Sequence, residues 1–327
     1  MQSNHDKPSP KPCAFLHLSV LLAVSLCLPF VTRAETSPDG QWIAFNRAGA
    51  PNSNLQCFTP GNVEISDGSL VILTKADNAT CSSIDLSSAT YNYTSGFVSM
   101  RSFNFLYGTV EFRAKFGGGA GSGAWPAVWM ADVSCQASDP NGTDNRCNGQ
   151  EIDIAEILHG DFTHVNQQIH VDNFTHNDGC TAPASDTSEN FHVYQLIWSP
   201  GSLVFKIDGT TSCVIRQRYV PKAAMYVKVS MFAGEFGGPI KTETLPWETL
   251  IDYVRVTQGG AVVFDDEFND GSTIQPGPTG RHSDSGFSVW QWLQRLASRR
   301  RLSWAVAALV VCLLLTGAAM TFRREGL

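Results

Sequence analysis

From residue 62 to residue 268 the chain is a succession of short runs in which apolar positions alternate with polar ones or stand together, with turn residues between the runs. "NVEIS" and "SLVILT" flank Asp67-Gly68; then come "GFVSM", "GTVEFRAKF", "AVWMA", "EIDIAEI", "VNQQIHV", "HVYQLIW", "SLVFKID", "YVKVSMF", "LIDYVRV" and "AVVFDDEF". Side chains of a strand point alternately to its two faces, so such runs predict strands with one face buried. Almost no stretch has helical periodicity and no internal repeat is visible, which predicts one all-β sandwich domain over residues 35–269. Beyond Phe268, "NDGSTIQPGPTGRHSDSG" is polar and rich in Gly and Pro, so residues 270–301 read as a linker with a basic end. Its last part, "FSVWQWLQRLASRRR", places Phe287, Trp290, Leu293 and Leu296 on one side of a helix suited to a membrane surface.

The two chain ends read as a secretory signal and a membrane span. Residues 1–34 have a weakly basic start, an apolar run from Ala14 to Val31 and small residues at its end, which predicts a secretory signal peptide cleaved after Ala34. An uncleaved anchor is the other reading, because the run is almost long enough to span a bilayer. Residues 302–322 carry no charge; at about 1.5 Å per residue they reach ~30 Å, which predicts a C-terminal transmembrane helix followed by a five-residue tail, 323–327. Arg299–Arg301 and Arg323-Arg324 flank it. The larger cluster would lie outside, against the positive-inside tendency. A removable lipid-anchor signal usually ends apolar, whereas this chain ends "RREGL". Either route predicts an extracellular domain, tethered to the membrane or released from it.

Charge narrows the partners. Residues 35–286 hold 28 acidic and 14 basic side chains, a formal balance of −14. Nucleic acid, which needs cationic neutralisation of phosphates, is therefore not an expected partner. Six cysteines fall in the central domain (Cys57, Cys81, Cys135, Cys147, Cys180, Cys213), and an even set in an exported domain predicts disulfides. Sequential pairing is expected, with Cys135–Cys147 closing a loop. Asn78, Asn92, Asn141 and Asn173 head glycosylation sequons.

One strand has an unusual composition. "EIDIAE" carries Glu151, Asp153 and Glu156 within six residues, although unpaired carboxylates lose hydration when buried. Glu151 and Asp153 share a face by alternation, and Glu156 joins them only if a β-bulge inserts one residue, for which small Ala155 is suited. Three carboxylates on one face fit glycoside hydrolysis, in which one attacks the sugar and another protonates the leaving oxygen. They would titrate together with at least one pKa raised. An exposed acidic face or a calcium site is the alternative that composition leaves open.

Beyond this strand the chain resembles glycoside hydrolase family 16 in its laminarinase-like form with the bulged ExDxxE signature. "YGTVEFRAKF", "WPAVWM", "FHVYQLIWSPGSLVFKIDG" and "LIDYVRV" look like family segments in family order, covering most of residues 55–256. The resemblance implies a concanavalin A-like jelly-roll β-sandwich with a glycan cleft. It implies Glu151 as nucleophile, Asp153 as supporting carboxylate and Glu156 as acid/base. Trp125 and Trp129 correspond to cleft aromatics, with core packing the other reading for Trp129; His170 matches a histidine facing the acid/base. Glu111 and Arg113 suggest a supporting ion pair. Two departures stand out: "SMFAGEFGG" has Ser230 and Glu235 where the family commonly has Asn and Gly, and "FDDEFNDG" looks like the family's first strand placed after the last one.

The expected activity is a retaining endo-acting hydrolase of β-1,3- or mixed β-1,3/1,4-glucan, a monomer needing no cofactor and no metal; structural calcium is not indicated. A transglycosylase on the same site and a glycan-binding lectin of the same fold are the alternatives. "FGGGAGSGAW" lacks the Lys-Ser/Thr ending of a phosphate loop and reads as a cleft-rim loop. His159, His164, His170 and His176 match no zinc spacing.

Overall fold

The computed structural model describes residues 42–48, 55–82, 88–100, 103–134, 149–172, 175–269 and 274–276. The expected signal peptide, the basic juxtamembrane segment, the transmembrane helix, the Cys135–Cys147 pair and the sequons at Asn141 and Asn173 lie outside them. No helix among the described residues is long and apolar enough to cross a membrane.

Two large sheets form the sandwich. The first runs, in spatial order, His176–Pro183, His164–Val171, Glu151–Glu156, Ala124–Asp132, Met225–Ala233, Phe97–Met100, Trp42–Ala44 and Ile274–Pro276. Its pairs are antiparallel except the last, in which Trp42 stands opposite Ile274 in parallel register. The second sheet centres on Gly108–Lys115, which lies between His192–Ser199 and Trp247–Gln258. Ser202–Ile207 and Thr210–Arg216 extend it to one edge. These elements arise where the alternation predicts them. In Gly108–Lys115, Val110, Phe112 and Ala114 are buried while Glu111, Arg113 and Lys115 are half-buried.

The core lies between the sheets. Val128, Met130, Ile152, Ile154, Val165 and Ile169 of the first meet Phe112, Tyr194, Leu196, Trp198 and Phe205 of the second in one apolar cluster. Burial of such side chains stabilises by about 1.5–3 kcal/mol each, before conformational entropy is counted. Trp198 keeps its indole N–H satisfied by donating to Pro221 O at 3.1 Å.

Two expectations change, and a third segment takes a definite place. Ile274–Pro276 is paired strand, so the ordered domain reaches past 269 into the expected linker. The segment "FDDEFN" is integral: Ala261–Asp266 pairs with Trp247–Gln258, and Phe264 and Phe268 pack on Trp42. Arg113 pairs with Asp252 at 2.8 Å and lies over the Phe191 ring, while Glu111 accepts hydrogen bonds from Gln195 and Tyr253, so the expected Glu111–Arg113 ion pair is replaced. Arg113 and Glu111 are successive alternate residues of one strand, and each finds a nearer partner on an adjacent one.

Two disulfides join expected partners, Cys57–Cys81 and Cys180–Cys213. The second links the outermost strand of the first sheet to the outermost strand of the second.

Candidate active site

The strand Glu151–Glu156 lies between Ala124–Asp132 and His164–Val171. Against His164–Val171 its register pairs Glu151 with His170, Ile152 with Ile169 and Asp153 with Gln168, then resumes with Glu156 opposite Asn166. Ile154 and Ala155 together therefore face the single residue Gln167, which is a β-bulge. Against the other neighbour, Ala155 pairs with Val128 and Asp153 with Trp129, leaving Ile154 as the extra residue. The bulge expected at Ala155 thus involves the Ile154–Ala155 pair. Both side chains point into the apolar core, and this double step returns Glu156 to the face of Glu151 and Asp153.

That face opens into a cleft of about 480 Å³, whose walls include all three carboxylates. Glu151 is 8%, Asp153 5% and Glu156 8% exposed, so three acids sit largely out of water. Glu156 accepts from Trp125 Nε1 at 2.7 Å and from Gln168 Nε2 at 3.1 Å. Burial raises its pKa, the Trp125 hydrogen bond opposes that rise, and the negative charge of Glu151 adds to it. Asp153 lies 3.2 Å from His170 Nε2, and its pKa is pushed well up by burial and then by Glu151. Burial by itself would lower the His170 pKa, but the hydrogen bond and charge of Asp153 and the charge of Glu151 outweigh it and lift the imidazole to about 9. Both shifts describe one proton held between Asp153 and His170. With Glu151 beside them, this cluster keeps a proton through neutral pH.

The sequence-derived residues assemble as follows. Trp125 is half-buried on the cleft face, with Phe232 at 4.5 Å and Phe236 at 5.0 Å between ring centroids. Trp129 also lines the cleft but is mostly buried, donating to Ser230 Oγ at 3.1 Å with the Lys228 ammonium 4.1 Å from its ring centroid. It serves as floor more than wall. Ser230, part of the first departure, is thus a partner of that tryptophan. His170, directly across the ladder from Glu151, bonds Asp153 and lines the cleft together with Glu156, on which its charge also acts. Its other ring nitrogen, Nδ1, lies 2.7 Å from Asn177 Oδ1. His159 reaches the cleft too, at the turn where it and Gly160 take positive φ. A Cβ on Gly160 would come within 2.6 Å of the Gly121 backbone, so the glycine-rich loop packs directly beside the site.

Sequence reasoning missed Gln168, Phe232 and Phe236. Gln168 was findable: it lies two residues before His170 in an alternating strand, hence on the same face. Phe232 and Phe236 fall within "SMFAGEFGG", where departure from the family pattern hid them. As for metals, Glu151, Asp153 and His170 offer ligand atoms within 4.8 Å of one another. Three ligands are few for calcium, which takes 6–8 oxygens.

Relatives give this geometry a context. The chain is 31% identical over 201 residues to a keratan-sulfate endo-1,4-beta-galactosidase of Sphingobacterium multivorum, covering 58% of this chain and 44% of that protein. It is 26% identical over 174 residues to a beta-glucanase of Rhodothermus marinus, covering 47% of this chain and 58% of that one. The chain therefore spans about half the length of these curated relatives. Among solved structures, a Zobellia galactanivorans LamA variant in complex with laminaritriose and laminaritetraose superposes with a TM-score of 0.56 at 26% identity, over 67% of this chain and 92% of the other. Residues 57–255, more than half of the chain, match the sequence model of glycosyl hydrolases family 16, and the chain belongs to that family.

Proposed function

We propose that this domain is an endo-acting hydrolase of β-1,3- or mixed β-1,3/1,4-glucan that works with retention through a covalent glycosyl-enzyme intermediate. The observation that carries the reading is the return of Glu156, across the Ile154–Ala155 bulge, to the cleft face shared by Glu151 and Asp153. Glu151 attacks the anomeric carbon while protonated Glu156 gives its proton to the leaving glycosidic oxygen. Glu156, now a carboxylate, then takes a proton from the water that releases Glu151. The upward pKa shift of Glu156 suits its first role, since a general acid must hold its proton near working pH. Asp153 and His170 share a proton beside Glu151, which limits the negative charge around the nucleophile. Trp125 supplies an apolar plane for a sugar ring and also holds Glu156 through its indole N–H. The route through this chemistry needs no cofactor or metal.

An endo-β-galactosidase is the second reading, favoured by the Sphingobacterium relative. No lysine or arginine lines the cleft among the described residues, which weighs against a sulfated chain. An extracellular, membrane-tethered or released monomer fits a polysaccharide substrate and belongs to the same proposal.

The test is reducing-sugar release by wild type and by Glu151→Gln and Glu156→Gln on laminarin, lichenan, agarose, xyloglucan and keratan sulfate. Wild type should act on laminarin or lichenan. Glu156→Gln should lose about 10²–10⁴-fold, and Glu151→Gln at least as much. Equal rates for wild type and Glu151→Gln would reject the assignment, and turnover of keratan sulfate alone would favour the second reading.

A further inference from the structure

We propose that Gln167 is a positioning residue that sets the place of Glu156 by bracing the bulge from inside the core. Gln167 is the single residue opposite Ile154 and Ala155, the point where the strand ladder is interrupted. Its neighbours Asn166 and Gln168 face the cleft side, whereas its own side chain is fully buried with Val165 and Ile169. A primary amide is costly there unless both ends are satisfied. They are: Nε2 donates to Ile154 O at 3.3 Å, and Oε1 accepts from Ser212 Oγ at 2.7 Å. The first bond stands in for the ladder bond that the extra residue displaces. The second ties the bulge to Thr210–Arg216, a strand of the opposite sheet.

The covalent surroundings reinforce this arrangement. Cys180 lies directly across the ladder from Gln167, and its disulfide partner Cys213 follows Ser212. Hydrogen bond and disulfide therefore join the two sheets at the height of the bulge. Gln167 touches no part of the cleft, so it acts through the backbone between Asp153 and Glu156. That backbone determines how far Glu156 reaches toward Trp125 and Gln168 on the open face.

The test uses the full chain with Gln167→Met, which keeps the length but offers no hydrogen bond, and with Ser212→Ala, which removes only the tie to the opposite sheet. Laminarin kinetics rest on the glucanase reading; a crystal structure of each variant does not. For Gln167→Met we expect kcat to fall by roughly 10–100-fold, as a misplacement near 1 Å would cause, with KM little changed. The pH limb belonging to Glu156 should move, and Glu156 should shift away from Trp125 Nε1. Ser212→Ala should show smaller changes of the same kind. Wild-type kcat and pH limb per folded molecule, with Glu156 superposing on the parent, would overturn the proposal. If Gln167→Met fails to fold, the same comparison on Ser212→Ala decides. If wild type cleaves no glucan, the functional reading fails and the position of Glu156 in the variants alone decides the brace.

Discussion

At the scale of single residues, Glu156, the general acid of the proposed mechanism, sits where burial favours its proton and two hydrogen bonds fix its orientation. Two effects oppose each other at Glu156: burial favours the neutral acid, and the Trp125 indole N–H favours the carboxylate. Removing the indole leaves burial less opposed. Trp125→Phe should therefore raise the Glu156 pKa and carry the alkaline limb of kcat/KM to higher pH, because activity needs the protonated acid. The rate itself should fall, since a sugar-facing ring and a positioning bond are both altered. A pH–rate profile of the variant checks this, and a limb that stays or moves down contradicts it. The carboxylates themselves were legible from sequence, because three acids in an otherwise apolar strand demand a reason. Partners joined through space, such as Gln168 to Glu156 or Ser230 to Trp129, were less legible, since each contact crosses between strands far apart or out of step in the chain.

At the scale of elements, the bulge decides which face Glu156 takes, and this can be tested by shortening the strand. Deleting Ile154 alone gives Glu-Ile-Asp-Ala-Glu, in which plain alternation already puts all three acids on one face. That variant should fold and keep measurable activity, reduced by roughly 10²-fold for a displaced acid. Deleting Ile154 and Ala155 together turns the last glutamate into the core, so activity should vanish and stability fall, read by laminarin assay and thermal unfolding. Equal activity in the two deletions would show that the bulge does not set the face. Elements with an apolar side were readable in advance, "HVYQLIW" and "GTVEFRAKF" among them. His176–Pro183 was not, because most of its side chains are exposed or half-exposed and it carries no alternating stripe. Trp42–Ala44 and Ile274–Pro276 were hidden by brevity, three residues being too few to show a period.

At the scale of the whole molecule, the acidic cleft sits on a sandwich with a large apolar core, and one edge of each sheet is fastened to the other. Cys180–Cys213 closes a span of 33 residues between the outer strands of the two sheets. Replacing both cysteines by alanine should cost about 3 kcal/mol in denaturant unfolding, and a loss near zero would mean the edges are held by packing alone. The central claim, that Glu151 forms a covalent bond to the sugar, is tested most directly by trapping. Incubation with a 2-deoxy-2-fluoro laminaribiosyl fluoride, proteolysis and mass spectrometry should find the fluorosugar on the peptide containing Glu151, with fragmentation assigning it to that side chain. An adduct on Glu156, or none while the same preparation hydrolyses laminarin, would contradict the account.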